Sequence, residues 1–245
     1  MDFIKHQITI NGLKITYHTA GSGAPLLFLH GMSARGLTYK NALTLLAQKY
    51  SVIALDLPGF GDSEMFHKVS DFDDYASFVH SFIQELQLHT ITVVGHSFGG
   101  GVGIRLASLS DEVSRLVAID SDGLYETVSP KLLHNLLIKK TIYDLTQYKN
   151  SLYFFVIAKD ALNTIFKKLK SVHILFQSLM KCARQDLSHT KISVPVLLLW
   201  GKDDEVFSHG YAEKLHANLK NSELKYVEGN HDWILFKPEQ LTAYL

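Results

Sequence analysis

Disulfides are excluded at the outset. Cys182 is the only cysteine, and one thiol makes neither an internal bridge nor a Cys-based zinc or iron–sulfur site. Long apolar runs are missing too. Leu152–Ala158 and Val194–Trp200 have seven residues each, against about 20 for a membrane-spanning helix. No basic region leads into an apolar stretch at the start, where apolar and polar residues alternate through Met1–Ile10, so nothing there reads as a signal peptide. Net charge is absent as well: Lys+Arg and Asp+Glu number 24 each. That removes the bulk electrostatic case for binding nucleic acid. There is no repeat and no low-complexity segment. With 47% apolar and 20% charged residues, the composition is that of a globular chain rather than a disordered one. A chain of 245 residues buries a core without metal or disulfide staples. It suits one large domain, or one domain with an insertion. The expectation is a soluble cytoplasmic protein.

What is present is an alternation of strand and helix. Ile4–Ile10 and Leu13–Thr19 flank Asn11-Gly12, a strong two-residue hairpin signal. The turn Gly21-Ser22-Gly23 leads to the apolar run Pro25–Leu29. The pattern then predicts a helix over Thr38–Lys49, a strand Ser51–Leu55, a helix Phe72–Leu86 and a strand Ile91–Gly95. A helix from Ser97 to Ser108 and a strand Ser114–Ile119 follow. These strands are continuous apolar runs, as expected when helices cover both faces of a parallel sheet.

The alternation breaks near Asp120-Ser121-Asp122-Gly123. From Leu124 to Leu187 the patterns are helical and rich in Leu, Phe, Tyr and Lys. Strand and helix resume with Val194–Trp200, His209–Leu219, Glu223–Val227 and Trp233–Leu245. The predicted organisation is an α/β core domain, residues 1–123 and 188–245, interrupted by a helical insertion over 124–187. Charge divides along the same line. Residues 125–188 carry ten Lys/Arg and four Asp/Glu, or +6, and the remainder carries fourteen and twenty, or −6.

The sharpest chemical signal is Gly95-His96-Ser97-Phe98-Gly99. It follows a predicted strand and precedes a helix rich in small residues, the setting of a G-x-S-x-G nucleophile elbow. The glycines let the backbone close round a strained serine. A serine hydroxyl needs a base, and the base needs an orienting carboxylate. Both follow in the chain order that this motif predicts, serine then acid then histidine. Trp200-Gly201-Lys202-Asp203-Asp204 and Glu228-Gly229-Asn230-His231-Asp232 each follow a predicted strand. His30 reads as fixing its loop by hydrogen bonding, and His96 as packing beside the serine. Gly99-Gly100-Gly101-Val102-Gly103 matches neither nucleotide-binding glycine motif in register and reads as close packing of a helix on the sheet. No H-E-x-x-H metal pair occurs.

Together with Leu29-His30-Gly31-Met32 and Asp56-Leu57-Pro58-Gly59-Phe60-Gly61-Asp62-Ser63, these motifs resemble the α/β-hydrolase superfamily over nearly the whole chain. The resemblance implies an α/β-hydrolase fold, a mostly parallel central sheet flanked by helices with an inserted helical cap. It implies Ser97 as nucleophile, Asp204 as triad acid and His231 as base. The spacing W-G-x-x-D selects Asp204 over Asp203, and Asp120 or Asp122 stands as the alternative acid. The backbone N–H groups of Met32 and Phe98 would form the oxyanion hole. Asp56–Ser63 resembles the family's D-x-x-G-x-G-x-S loop and reads as structural.

The family's chemistry makes a serine hydrolase of carboxylic esters the leading expectation, with no cofactor and no metal. The alternatives are a thioesterase, a carrier-linked methyl-ester esterase, a carbon–carbon bond hydrolase, and a non-catalytic receptor on the same fold. Peptidase activity is unsupported. Haloalkane dehalogenases and soluble epoxide hydrolases carry Asp at the elbow, where this chain has Ser97. The cap would supply pocket and interior residues from Leu132, Leu136, Tyr143, Tyr153, Phe154, Phe155, Phe166, Leu175 and Phe176. An apolar acyl or aromatic substrate group would suit them. Lys131, Lys139, Lys140, Lys167, Lys168 and Lys170 would steer an acidic acyl-carrier partner, or simply form a solvated face.

Overall fold

The computed structural model describes residues 1–32, 34–125, 146, 153–169 and 171–245. The expected cap residues Leu132, Leu136, Tyr143, Lys131, Lys139, Lys140 and Lys170 lie outside them, as do the side chains of Tyr153 and Phe154.

The hairpin forms as its turn residues dictate. β1 (Ile4–Ile10) and β2 (Leu13–Ala20) pair antiparallel, with Ile10 opposite Leu13. Asn11 and Gly12 both take positive φ, 49° and 79°, which the tight hairpin turn requires. Six more strands complete the sheet: β3 (Ala24–Leu29), β4 (Tyr50–Leu55), β5 (Ile91–His96), β6 (Val113–Ile119), β7 (Val196–Gly201) and β8 (Ser222–Val227). Their order is β1-β2-β4-β3-β5-β6-β7-β8. From β4 onward every neighbouring pair is parallel, so the carboxyl ends of β3 to β8 share one edge.

Both faces of the sheet are covered, and β3 shows how. Leu27 and Leu29 join one apolar layer with Phe72, Tyr75, Val102 and Leu215. Leu26 and Phe28 join the other with Leu43, Trp233 and Leu241. Alternate residues of a strand point to opposite faces, so two apolar faces make a continuous apolar run. The first layer holds α2 (Phe72–Glu85) and α3 (Phe98–Leu106), and the second holds α1 (Lys40–Leu46). α2 starts where Asp71 accepts the Asp74 amide at 3.1 Å, satisfying a first-turn donor that has no partner within the helix. A Cβ on Gly101 of α3 would approach the Phe72 ring to 2.6 Å, so glycine allows that close packing.

Two helices follow β6 among the described residues before β7: α4 (Tyr153–Lys167) and α5 (Val172–Cys182). The described part of the run Leu152–Ala158, from Tyr153 on, thus lies in a helix. Leu175, Ser178 and Cys182 are the buried positions of α5, and the Ser178 hydroxyl accepts the Ser70 amide at 2.9 Å. α4 docks differently. Its Asp160 accepts the Thr38 hydroxyl at 2.6 Å and pairs with Arg35 at 3.2 Å. Lys167 reaches Asp62, and Lys168 donates to the Ser63 carbonyl.

Two expectations are corrected here. Phe155, Phe166 and Phe176 are 68%, 72% and 64% exposed rather than interior; on α5 the buried positions are instead Leu175, Ser178 and Cys182. Only Leu175 of the described candidates is buried. The expected helix Trp233–Leu245 is two pieces. α6 (His209–Asn218) precedes β8, then α7 spans Trp233–Phe236 and a 3₁₀ turn spans Pro238–Ala243. Lys237 sits at φ −130°, because the residue before a proline is pushed out of the helical region.

Candidate active site

Ser97 lies between β5 and α3 at φ 52°, ψ −118°. Such a conformation costs a non-glycine residue roughly 1–3 kcal/mol and persists only where the surroundings enforce it. Here its amide donates to the Ile119 carbonyl at 2.8 Å, and its carbonyl accepts the amides of Gly100 and Asp122 at 2.9 and 3.1 Å. A Cβ on Gly99 would run into the Leu29 and His30 carbonyl oxygens. Glycine there brings the end of β3 against the turn.

The loops after β7 and β8 meet at this serine. Ser97 Oγ is 3.0 Å from His231 Nε2, and His231 Nδ1 is 3.0 Å from Asp204 Oδ2. The other oxygen of Asp204 accepts the amides of Val206 and Phe207 at 2.7 and 2.9 Å. These bonds hold the carboxylate in place with donors from the backbone and the ring. The Asp204 side chain is fully buried. Asp203 is exposed and points its amide at the Gly229 carbonyl. A Cβ on Gly201 would approach the Gly229 and Asn230 carbonyls to 2.6 Å, so that glycine permits the two loops to touch.

The alternative acids lie elsewhere. Asp122 accepts the Tyr211 hydroxyl at 3.2 Å and the Gly123 amide at 2.7 Å. Asp120 stands beside Asp204. One oxygen accepts the Gly201 amide at 2.7 Å, and ligand atoms of Asp120, Asp204 and His231 lie within 4.8 Å of one another. Burial, then the Asp204 charge, push the Asp120 carboxyl well above the usual range. Both causes favour the protonated form of the Asp120 carboxyl. Burial also raises Glu205, to about 7, so negative charge near this site grows as pH rises through neutrality.

A second buried chain of hydrogen bonds runs behind the serine. The Gly31 amide donates to the Tyr39 hydroxyl at 3.1 Å, and that hydroxyl meets His96 Nδ1 at 2.8 Å. His96 Nε2 lies 2.8 Å from the His231 carbonyl. A carbonyl only accepts, so Nε2 carries the proton and Nδ1 accepts from Tyr39. Burial pulls His96 down to about 4, which keeps the ring neutral in this role. His96 packs as expected and also ties the loop after β3 to the backbone of His231. The sequence carried no sign of Tyr39, which falls inside a predicted helix.

The loop after β3 is fixed from several sides. His30 Nδ1 donates to the Gly31 carbonyl at 2.8 Å, while Nε2 accepts the Leu57 amide at 3.0 Å. Asp56 accepts the amides of Gly36 and Asp62 at 2.9 and 3.0 Å, so Asp56–Ser63 does have a structural role. A Cβ on Gly31 would sit 3.4 Å from Ser97 Cβ. That puts the Met32 segment directly beside the serine. Met32 is 44% exposed. Phe98 opens α3, where the first amides have no acceptor within the helix.

The family model described as "Alpha/beta hydrolase family" matches residues 26–243. The chain belongs to the alpha/beta hydrolase family. This α/β hydrolase is 27% identical over 239 residues to the uncharacterized hydrolase YugF of Bacillus subtilis (strain 168), covering 89% of this chain and 87% of that one. A shorter stretch of 116 residues, 47% of this chain and 41% of the relative, is 39% identical to a soluble epoxide hydrolase of Corynebacterium sp. (strain C12). Among solved structures, the esterase EaEST from Exiguobacterium antarcticum superposes with a TM-score of 0.79 at 24% identity, covering 98% and 99% of the two chains. E-2-(acetamidomethylene)succinate hydrolase gives 0.81 at 22% identity, covering 99% and 97%. At such identities the structures show a shared fold. The chain is an enzyme of the hydrolase class. No helix among the described residues is long and apolar enough to cross a membrane.

Proposed function

We propose that this hydrolase cleaves carboxylic esters through an acyl-serine intermediate, with Ser97 as nucleophile, His231 as base and Asp204 as the orienting acid. The observation that carries this reading is the unbroken line Ser97 Oγ–His231 Nε2, His231 Nδ1–Asp204 Oδ2, with both contacts at 3.0 Å. Ser97 Oγ attacks the ester carbonyl carbon as its proton passes to His231 Nε2. The carbonyl oxygen becomes an oxyanion, which the Met32 and Phe98 amides stabilise; one such donor is worth about 10²–10³ in rate. The intermediate collapses, and His231 returns the proton to the departing alcohol. Water then attacks the acyl-serine, giving its proton to His231, and the acid leaves as Ser97 recovers its own. Asp204 stays ionised throughout and stabilises the imidazolium. The steps call for no cofactor.

Serine at the elbow, rather than the aspartate of epoxide hydrolases, favours acyl transfer over epoxide opening. The carrier-linked alternative gains nothing from two of its six lysines, since Lys167 and Lys168 engage Asp62 and the Ser63 carbonyl. The test is hydrolysis of a chromogenic acyl-ester series of increasing chain length by wild type and Ser97→Ala. Rapid turnover that falls about 10⁵-fold or more in the folded variant is expected. A well-folded wild type that turns over none of the esters would overturn the ester reading, leaving another serine-dependent bond or a binding role.

A further inference from the structure

The stretch between β6 and β7 is tied at both ends to Gly123. The Gly123 carbonyl accepts the Leu187 amide at 2.7 Å, so the chain leaving the core and the chain returning to it meet there. The Gly123 amide donates to the Tyr211 hydroxyl at 3.0 Å, and the Leu124 amide donates to the same oxygen at 2.7 Å. Tyr211 is a buried residue of α6. Two accepted amides use both lone pairs of its hydroxyl. The hydroxyl proton has the Asp122 carboxylate at 3.2 Å and the Leu124 carbonyl at 3.3 Å within reach. Burial raises this phenol far above its ordinary range, so it stays a donor as well as an acceptor.

The two ends of Tyr211 meet different parts of the site. At the hydroxyl end, the segment Asp122–Leu124 starts at the nucleophile, where the Asp122 amide donates to the Ser97 carbonyl at 3.1 Å. At the other, the Tyr211 ring stacks on Phe207 with centroids 4.7 Å apart. Phe207 meets the His231 ring edge-on at 5.5 Å, and its amide donates to Asp204. Its carbonyl accepts Trp200 Nε1 at 2.9 Å, which fixes the backbone of that loop. One buried side chain thus spans the gap between the backbone of the nucleophile and the loop of the acid. A displacement of about 1 Å between reacting groups can cost about 10²-fold in rate. We propose that Tyr211 is a positioning residue for the hydrolytic reaction, holding the Ser97 segment in register with the loop that carries Asp204. This rests on the assignment of Ser97, His231 and Asp204, and not on which acyl bond is cleaved.

The test is Tyr211→Phe in the full chain. The stacked ring remains, the Gly123 amide keeps the Asp122 carboxylate at 2.7 Å, and the Leu124 amide loses this acceptor, so the variant should fold. Active sites are counted by stoichiometric labelling of Ser97 with a fluorophosphonate. Well below the melting temperature, kcat per labelled site should fall about ten- to thirtyfold, with KM changed less than about threefold. The rate of labelling should fall in parallel. Phe207→Leu keeps the hydroxyl contacts and removes the stack, and should also lower kcat with little change in KM. A lower melting temperature with kcat and labelling rate unchanged would make Tyr211 structural only and overturn the proposal. So would a rise in KM alone, which would assign Tyr211 to substrate binding. If wild type labels at Ser97 but cleaves no ester, the ester reading fails while the labelling rates still decide the role of Tyr211. A wild type that does not label at Ser97 would overturn both.

Discussion

Asp204 and Asp160 are both buried carboxylates, yet they are held in opposite ways. Asp204 receives two backbone amides and a histidine on short loops at the end of a parallel sheet. Its partners have no side-chain freedom to lose, apart from one ring fixed by packing. Asp160 receives a hydroxyl and the end of an arginine that is 36% exposed. Ordering a long side chain costs up to about 2 kcal/mol of rotamer entropy, so that contact re-forms or slips at little net change. The first arrangement suits groups that must stay within a fraction of an ångström of a reacting atom. The second ties α4 to the segment after β3 through two flexible or rotatable side chains.

Breaking each anchor in turn tests the contrast. Asp204→Ala should lower turnover of the preferred ester by about 10⁴-fold, measured against wild type at saturating substrate. Asp160→Ala should change kcat/KM by less than about tenfold and make α4 more open to limited proteolysis. Equal losses in the two variants would erase the distinction.

The His96 bridge sharpens the comparison at a smaller scale. His96→Gln should cost about ten- to hundredfold in kcat, because the base loses a backbone support. It should also change acid stability. Folded His96 titrates near 4, below the ordinary 6.5, so between those values the unfolded chain binds the extra proton. Stability is therefore lost as pH falls from 6.5 toward 4. The variant should show a shallower fall in melting temperature over that window.

Asp120→Asn is the mildest test. Asparagine copies the shape and the donor of the protonated acid, so turnover should stay within about threefold of wild type. The folded pKa of Asp120 is raised by burial and by Asp204. The native state thus keeps a proton that the unfolded chain releases above 3.8, and stability declines as pH rises from there. The variant should gain more in melting temperature at pH 8 than at pH 4. A large loss of turnover would instead mean that Asp120 works as an ionised group.

Much of this was legible in the residues. The Asn11-Gly12 hairpin, the apolar strands and the serine–acid–histidine order are local signals, and W-G-x-x-D selects the aspartate that meets His231. The break before Pro238 was missed, although the proline that causes it stands in the sequence and restricts the residue before it.

The sequence by itself determined which residues sit at strand ends, because motif and periodicity are short-range properties of the chain. Only the tertiary structure decided that Tyr39 and His96 join the β3 loop to His231, and that Asp120 lies buried beside Asp204. These partners lie tens of residues apart, and the direction in which a carboxyl's pKa moves depends on what burial places next to it. The orientation of α4 was decided there as well. Periodicity groups Asp160 with Thr164, but only the fold brings Asp160 to Thr38 and Arg35, more than 120 residues away.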